Sequence, residues 1–137
     1  MSLVDNLIYM ITPATTSIPS NSILPLTTIA RRTGRILKNN SDSIILGAPG
    51  YYKIAITATF TAPEAGDVTL VAQKNSIAIP GITASTTITT ATTEISTLTL
   101  SGIIRVMPFE GASVLSILNS GVAITSSNIS VDIEYLG

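Results

Sequence analysis

The sequence predicts a small all-β sandwich or jelly roll, and three observations support this. Ser and Thr fill 36 of the 137 positions and Ile fills 21, and Ile, Val and Thr favour pleated, half-buried surfaces over helices. Several segments alternate apolar and polar residues with a period of two, the pattern of a strand with one buried face. Turn residues recur every 8 to 15 residues, a spacing typical of sandwiches and jelly rolls rather than of βαβ units.

Two segments show the alternation most clearly. In residues 52–61 and again in residues 129–135, apolar side chains occupy every second position. These apolar sets are Tyr52, Ile54, Ile56, Ala58 and Phe60 in the first segment, and Ile129, Val131, Ile133 and Tyr135 in the second. We expect both segments to be strands whose apolar side chains face a core.

Further strands are predicted between turns that are rich in Pro, Gly and Asn. They cover residues 35–38, 43–46, 67–74, 94–105, 113–119 and 122–125. Asn119-Ser120-Gly121 is a turn signal, so we expect the last two segments to form a strand pair around it. In residues 83–93, eight of eleven positions are Thr or Ser, which favours an exposed strand or mobile loop over a dedicated ligand surface.

The first 22 residues are expected to form an extended, anchoring arm ahead of a single jelly-roll domain in residues 23–137. Residues 12–25 contain three prolines, and proline cannot donate to a strand ladder. The apolar run at 7–11 is too short for a recognisable signal peptide, and no stretch reaches the roughly 20 apolar residues that span a bilayer. Residues 1–3 resemble an expression scar and are left out of the fold prediction.

The surface is expected to be poor in charge. Hydrophobic residues make up 45% of the chain and charged residues 11%, with a net charge of −1, whereas the usual charged share is about 25%. The exposed surface is then largely Ser, Thr and apolar, a composition that promotes association. One interpretation is a monomer that associates non-specifically. We favour the other, in which sister subunits cover much of the apolar surface.

Two absences from the sequence exclude most catalytic chemistry. Without Cys there is no disulfide, thiolate nucleophile or Cys-based metal site. Without His the commonest general base and metal ligand is missing, and no Ser–His pair can form. The glycines fall singly at turns, so no phosphate-binding loop is present. We therefore predict no enzyme activity, no catalytic or metal site and no cofactor.

Three motifs, in this order and spacing, resemble the complement-globular-head and tumour-necrosis-factor-like jelly-roll family. Residues 49–54 (PGYYKI) enter a long alternating strand, residues 70–81 (LVAQKNSIAIPG) are similar to a hairpin of bacterial members, and residues 111–121 with 127–133 are similar to their closing strands. Those members include heads of collagen-like spore-surface glycoproteins and of bacteriophage surface proteins. Ser76 stands where this hairpin usually carries Gly, and the chain has no collagen-like stalk.

This resemblance implies a jelly roll of about ten strands that assembles as a homotrimer around a threefold axis, with binding or structural roles. An aliphatic strand beside the axis would be covered by the neighbouring protomer, and burial contributes about 25 cal/mol per Å². The expected trimer interface on this basis consists of Tyr52, Ile54, Ile56, Phe60, Leu100 and Tyr135.

Two charged groups each have two interpretations. Asp132 and Glu134 share one face of the last predicted strand; a solvent-facing pair is favoured over a cation or acid–base site, which would need separated pKa values. A cluster of four cations also has two interpretations. We favour a solvated face that blocks edge pairing. The alternative is a contact with an anion or an acidic partner surface. No aromatic residue interleaves with this cluster, which argues against nucleic acid. The cluster consists of Arg31, Arg32, Arg35 and Lys38.

Two functions fit these expectations. The first is a non-catalytic structural knob on a virion or on a cell or spore surface, such as a phage capsid decoration or fibre-head protein, which would contact itself and a capsid or other surface protein. The alternative is a module that recognises a glycan or a host surface protein. The aromatic side chains are expected to pack in a core or interface, because most occupy buried-face positions.

Overall fold

The computed structural model describes residues 7–13, 15–34 and 36–137, which form strands and connecting turns. In chain order the strands are β1 (Leu7–Thr12), β2 (Thr16–Ile18), β3 (Ser22–Ile23), β4 (Thr28–Thr33), β5 (Ile36–Asn39), β6 (Ser43–Leu46), β7 (Gly50–Thr61), β8 (Gly66–Lys74), β9 (Ile77–Ile88), β10 (Ser96–Val106), β11 (Ser113–Asn119) and β12 (Ile124–Tyr135).

These strands form two antiparallel sheets that pack face to face. The first sheet has the order β10-β7-β12-β1-β4, with β2 paired to the end of β12. The second has the order β5-β6-β11-β8-β9, with β3 paired to the end of β11. From β4 onward the chain changes sheet at every connection except the β5–β6 and β8–β9 hairpins. The predicted all-β jelly-roll sandwich is confirmed, with ten strands on the two main paths.

The core fills the space between the sheets with aliphatic side chains. Strand β7 lies between β10 and β12, and its inward residues are at most 1% exposed, as the alternation predicted. Strands β8 and β11 contribute their own alternating sets, including Leu70 and Ile117, both fully buried. Each sheet therefore has one face in the core and one outer face.

The N-terminal part of the described chain belongs to the sandwich. Strand β1 lies between β12 and β4 in the first sheet, and Ile8 and Met10 are fully buried. An arm ending at residue 22 therefore does not match the strand boundaries, because residues 7–12 complete the sheet; residues 1–6 lie outside the described residues. The proline-containing segment that follows carries only the short strands β2 and β3.

The prediction that two strands pair with each other around Asn119-Ser120-Gly121 is wrong. Strand β11 pairs with β8 and β6 in the second sheet, whereas β12 pairs with β7 and β1 in the first. The turn carries the chain from one sheet to the other, and residues 124–135 form one strand with a bulge between Ser126 and Asn128.

The β8–β9 hairpin has a tight two-residue turn and an irregular second strand. Asn75 and Ser76 both have positive φ, 52° and 67°, the conformation of a type I′ turn. Further along, Val71 pairs with Thr83 and Gln73 with Ala78. Residues 79–82 therefore stand opposite a single residue of β8, and this insertion distorts an edge strand.

Candidate interaction surfaces

The structure does not leave the expected trimer-interface residues available to a partner. Five of them, on strands β7 and β10, are 0–2% exposed within the single chain. They are Tyr52, Ile54, Ile56, Phe60 and Leu100. Their expected role is corrected here: they pack between the two sheets, because the inward face of a sandwich strand is the more apolar one. The sixth, Tyr135, is half-buried and packs against the Tyr52 ring at 5.1 Å between centroids.

The fold leaves one face of the first sheet uncovered, and we call it the outer face of the first sheet. We use this name for the residues of β1, β4, β7, β10 and β12 that point away from the second sheet. Its apolar members include Tyr9 (38% exposed), Tyr51 (44%) and Ile103 (62%), while Leu7 and Ile11 are half-buried. The outward-facing positions of these strands could be identified from the alternation in the sequence. The apolar residues among them were not predicted to have a role.

Charges on this outer face follow the strand register. Asp132 lies beside Tyr9, which is in turn beside Arg31, and Glu134 lies opposite Lys53. Partial burial, followed by the nearby Glu134 carboxylate, raises the pKa of Asp132, and Lys53 opposes the rise. The carboxylates thus lie on the central strand with cations on both sides. This matches the favoured interpretation of a polar pair on a sheet face.

The cation cluster lies where the edge strands β4 and β5 meet. Arg32 donates to the Gly34 carbonyl at 2.7 Å, Arg31 donates to the Ala30 carbonyl at 3.3 Å, and Lys38 donates to the Asn40 carbonyl. These side chains hydrogen-bond to nearby backbone carbonyls of their own strand or turn, and their role in blocking edge pairing stays a prediction. Arg35 lies outside the described residues, and contact of the cluster with an anion or partner stays a prediction.

A groove of about 290 Å³ runs between the hairpin β8–β9 and the end of β10. Its lining residues are Lys74, Asn75, Ile77, Ala78, Ile79, Pro80, Ile103, Ile104, Arg105 and Glu110. The Lys74 ammonium lies 2.9 Å from a Glu110 carboxylate oxygen. The hydrogen bond from Lys74, followed by that from the Met107 amide, lowers the pKa of Glu110, so this carboxyl group is ionised at neutral pH. Sequence reasoning missed this groove because its parts are far apart in the chain.

A wider hollow of about 560 Å³ lies at the opposite end of the sandwich. It is lined by Ser20, Pro63, Glu64, Asp67 and residues 120–123. The Asp67 carboxylate accepts a hydrogen bond from Thr87 at 2.8 Å, which occupies one of its oxygens. Among the residues that the structure describes, no three His, Cys, Asp or Glu side chains form a group that could hold a metal ion.

The aromatic residues divide between core and surface. Tyr52 and Phe60 are buried, but Tyr9, Tyr51 and Phe109 are 38%, 44% and 81% exposed. The expectation was packing in a core or an interface. Tyr52 and Phe60 lie in the core, and an interface position for the three exposed rings stays a prediction. The Arg105 guanidinium lies 5.3 Å from the centroid of the Tyr51 ring, a cation–π contact on the outer face.

Comparison with known proteins identifies the fold but no sequence family. No family model and no curated protein matches the chain. The globular domain of zebrafish complement 1qA matches with a TM-score of 0.69 and 8% identity, covering 96% of this chain and 98% of that one. Eiger TNF from S. frugiperda matches with a TM-score of 0.68 and 9% identity, covering 96% and 94%. The vertex protein P5 of PRD1 matches with a TM-score of 0.59 and 18% identity, covering 98% and 99%.

These similarities show the jelly-roll fold that the sequence motifs implied. Within the part of the chain that the structure describes, no helix is long and apolar enough to cross a membrane.

Proposed function

We propose that the chain is a non-catalytic structural knob that assembles as a homotrimer on a virion or on a cell or spore surface, such as a phage capsid decoration or fibre-head protein. The similarity to the PRD1 vertex protein over 98% of the chain supports a role on a virus surface. The observation that carries the proposal is the outer face of the first sheet, which exposes aromatic and aliphatic side chains on a chain of low net charge.

The outer face of the first sheet is the surface that we assign to the subunit contact. Five of the six residues expected there from sequence are already buried in the core, so subunit contact requires other residues. Tyr9 and Tyr51 remain partly exposed on this face, and burying each apolar side chain is favourable by about 25 cal/mol per Å². Small residues such as Ala55 at the centre of the face let a neighbour approach closely.

Sedimentation velocity of two matched variants tests this assignment. Ala55→Arg places a long cation at the centre of the outer face, and Val71→Arg places the same side chain on the outer face of the second sheet. Both positions are half-buried on interior strands, so their costs to folding are similar. We expect wild type and Val71→Arg to be trimers at micromolar concentration and Ala55→Arg to be a folded monomer. A monomeric wild type would rule out the trimer, and a trimeric Ala55→Arg would rule out this interface.

We also propose that the N-terminal 22 residues anchor the knob. Strand β1 lies within them, which limits the residues that a test can delete. Deletion of residues 7–12 would remove strand β1 from the first sheet, so the test deletes residues 1–6, which leaves every described strand in place. The deletion variant should keep its oligomeric state and lose attachment to the particle in a pull-down assay. Undiminished attachment would contradict the anchoring role.

Recognition of a glycan or host surface protein is the second candidate function. The exposed Phe109, next to the groove-lining Glu110, is the observation that favours it, because sugar-binding sites present exposed aromatic rings. A glycan array with a signal that Phe109→Ala abolishes would support this function. An empty array together with trimeric assembly would favour the structural role.

A further inference from the structure

The groove beside β10 is bordered by two open sheet edges. Strand β9 is the edge of the second sheet and β10 the edge of the first. Among the described residues, no strand pairs with the outer side of either. Such edges present unpaired backbone donors and acceptors, which an added extended chain can satisfy.

The backbone directions at the groove follow from the register. Lys74 donates to the Arg105 carbonyl at 2.9 Å, so the odd-numbered residues of β10 direct their backbone groups toward the groove. Ile103 therefore presents its amide and carbonyl there. The two-residue turn makes Lys74 and Ile77 a hydrogen-bonded pair, which turns the backbone of Ala78 to the open side.

The walls of the groove are aliphatic and exposed. Ile77 and Ile103 are 72% and 62% exposed, and Ile79 and Pro80 extend the apolar surface between them. Their exposure leaves a site for an aliphatic side chain whose entry would remove apolar area from water.

Among the charges of the described residues that line the groove, one cation has no anionic partner, although its guanidinium also lies over the Tyr51 ring. The Lys74–Glu110 pair is held by hydrogen bonds from the Met107 amide to Glu110 at 2.7 Å and from Lys74 to the Arg105 carbonyl at 2.9 Å. Arg105 is the remaining charged lining residue, and within the described residues no carboxylate lies within ion-pair distance of it. The groove thus carries one net positive charge beside its apolar walls.

We propose that this groove binds a short extended peptide segment of a partner protein, one that carries aliphatic side chains and one carboxylate. The peptide backbone pairs with the open edge at Ile103 or Ala78, an aliphatic side chain lies between Ile77 and Ile103, and the carboxylate binds Arg105. The open edges select an extended chain, and the net charge selects an acidic one. This goes beyond the proposed function, because it identifies a partner contact separate from the central part of the subunit interface.

A double-mutant cycle tests the carboxylate contact. The probe is the fluorescein-labelled peptide Thr-Val-Ile-Glu-Val-Thr, and its matched control has Gln in place of Glu. By fluorescence anisotropy, Arg105→Gln should weaken binding of the acidic peptide about tenfold, the loss typical of a charge-assisted hydrogen bond. The Gln peptide should bind both proteins with the same weakened affinity. Equal losses for the two peptides would overturn the contact.

Two further variants locate the peptide. Ile77→Ser, on β9 and outside the outer face of the first sheet, should also weaken binding because it removes one apolar wall. Lys38→Gln, at the distant β4–β5 edge, should leave binding unchanged. Amide NMR shifts on titration should centre on Ala78 and Ile103. Shifts confined to another surface, or a strong rise in affinity when residues 1–6 are deleted, would overturn the proposal; the second result would identify the chain's own N-terminus as the occupant.

Sedimentation of each variant separates this inference from the proposed function. Loss of peptide binding with an intact trimer fits the proposal. A trimer that does not bind the peptide at all shows that the groove inference alone is wrong. Dissociation caused by Arg105→Gln would show that the groove belongs to the subunit contact, which also overturns it.

Discussion

Gly121 lies at the turn that carries the chain from β11 to β12, and its substitution by alanine should be among the most damaging small changes in the protein. An added Cβ would lie 2.3 Å from the Asp67 carbonyl oxygen, 2.7 Å from the Thr69 nitrogen and 2.8 Å from the Val68 Cα. All three atoms belong to the backbone of β8, which is fixed by pairing with both β11 and β9. The turn therefore has to move away from the strand.

That movement breaks the hydrogen bonds that hold the turn on β8. Val122 donates to the Asp67 carbonyl at 2.9 Å and Ser120 to the Thr69 carbonyl at 2.9 Å. Two such bonds contribute about 1–3 kcal/mol, and overpacking adds about 1–3 kcal/mol, so Gly121→Ala should cost about 2–6 kcal/mol. Urea unfolding followed by circular dichroism, at one protein concentration for all variants, measures this cost.

Gly111→Ala is the matched control for this prediction. Gly111 has a φ of 72° but no atom within 4 Å of an added Cβ. Its substitution costs only the left-handed backbone strain, about 1 kcal/mol. A Gly121→Ala variant that loses no more stability than Gly111→Ala would refute the reasoning from close approach.

Three further predictions concern single side chains. Ser76→Gly should stabilise the protein by about 0.5–1 kcal/mol in urea unfolding, because Ser76 has a φ of 67°; Ser85→Gly, in the regular part of β9, should destabilise it. Ser113→Ala should raise the unfolding free energy by about 1 kcal/mol, since the fully buried Ser113 hydroxyl has no hydrogen-bond partner among the described residues; a lower value would show that the hydroxyl is paired. Asp132→Asn should stabilise the protein at pH 7, because a pKa raised from the ordinary 3.8 means that the ionised carboxylate opposes folding. That gain should fade as pH falls through the raised pKa and vanish below 3.8, and a gain that persists at low pH would contradict the charge argument.

Strands that lie between clear turn residues were predictable, and the turn residues set where each predicted strand begins and ends. The segment predicted at 113–119 matches β11, and that at 67–74 matches β8 within one residue. Strand β1 was missed because residues 7–11 are all apolar, so a period of two is invisible there. Which sheet a strand joins was not predictable either, since Gly121 acts through β8, some fifty residues away in sequence.

The interaction surfaces were harder to predict than the core for a related physical reason. An alternating strand shows which residues face inward, and in β7 these include Tyr52, Ile54 and Phe60. Their apolar character makes them look suited to a subunit contact as well, yet a buried side chain has no area left to contribute. The groove depends on β9 and β10 meeting at the open side of the sandwich, which only the folded chain shows.

The outer face of the first sheet also determines how subunit contact should respond to pH. Asp132 is already partly buried and close to Glu134, and both effects raise its pKa. A neighbouring subunit that covers this face removes more water from the carboxyl and favours its neutral form further, unless a cation of that subunit lies against it. Assembly would then take up protons, so trimer affinity should increase in sedimentation equilibrium as pH falls from 7 through the raised pKa of Asp132, and Asp132→Asn should abolish the dependence. An affinity that decreases over this range would instead place a cation such as Arg31 of the adjacent subunit against Asp132, and Arg31→Gln would then weaken the trimer at pH 7.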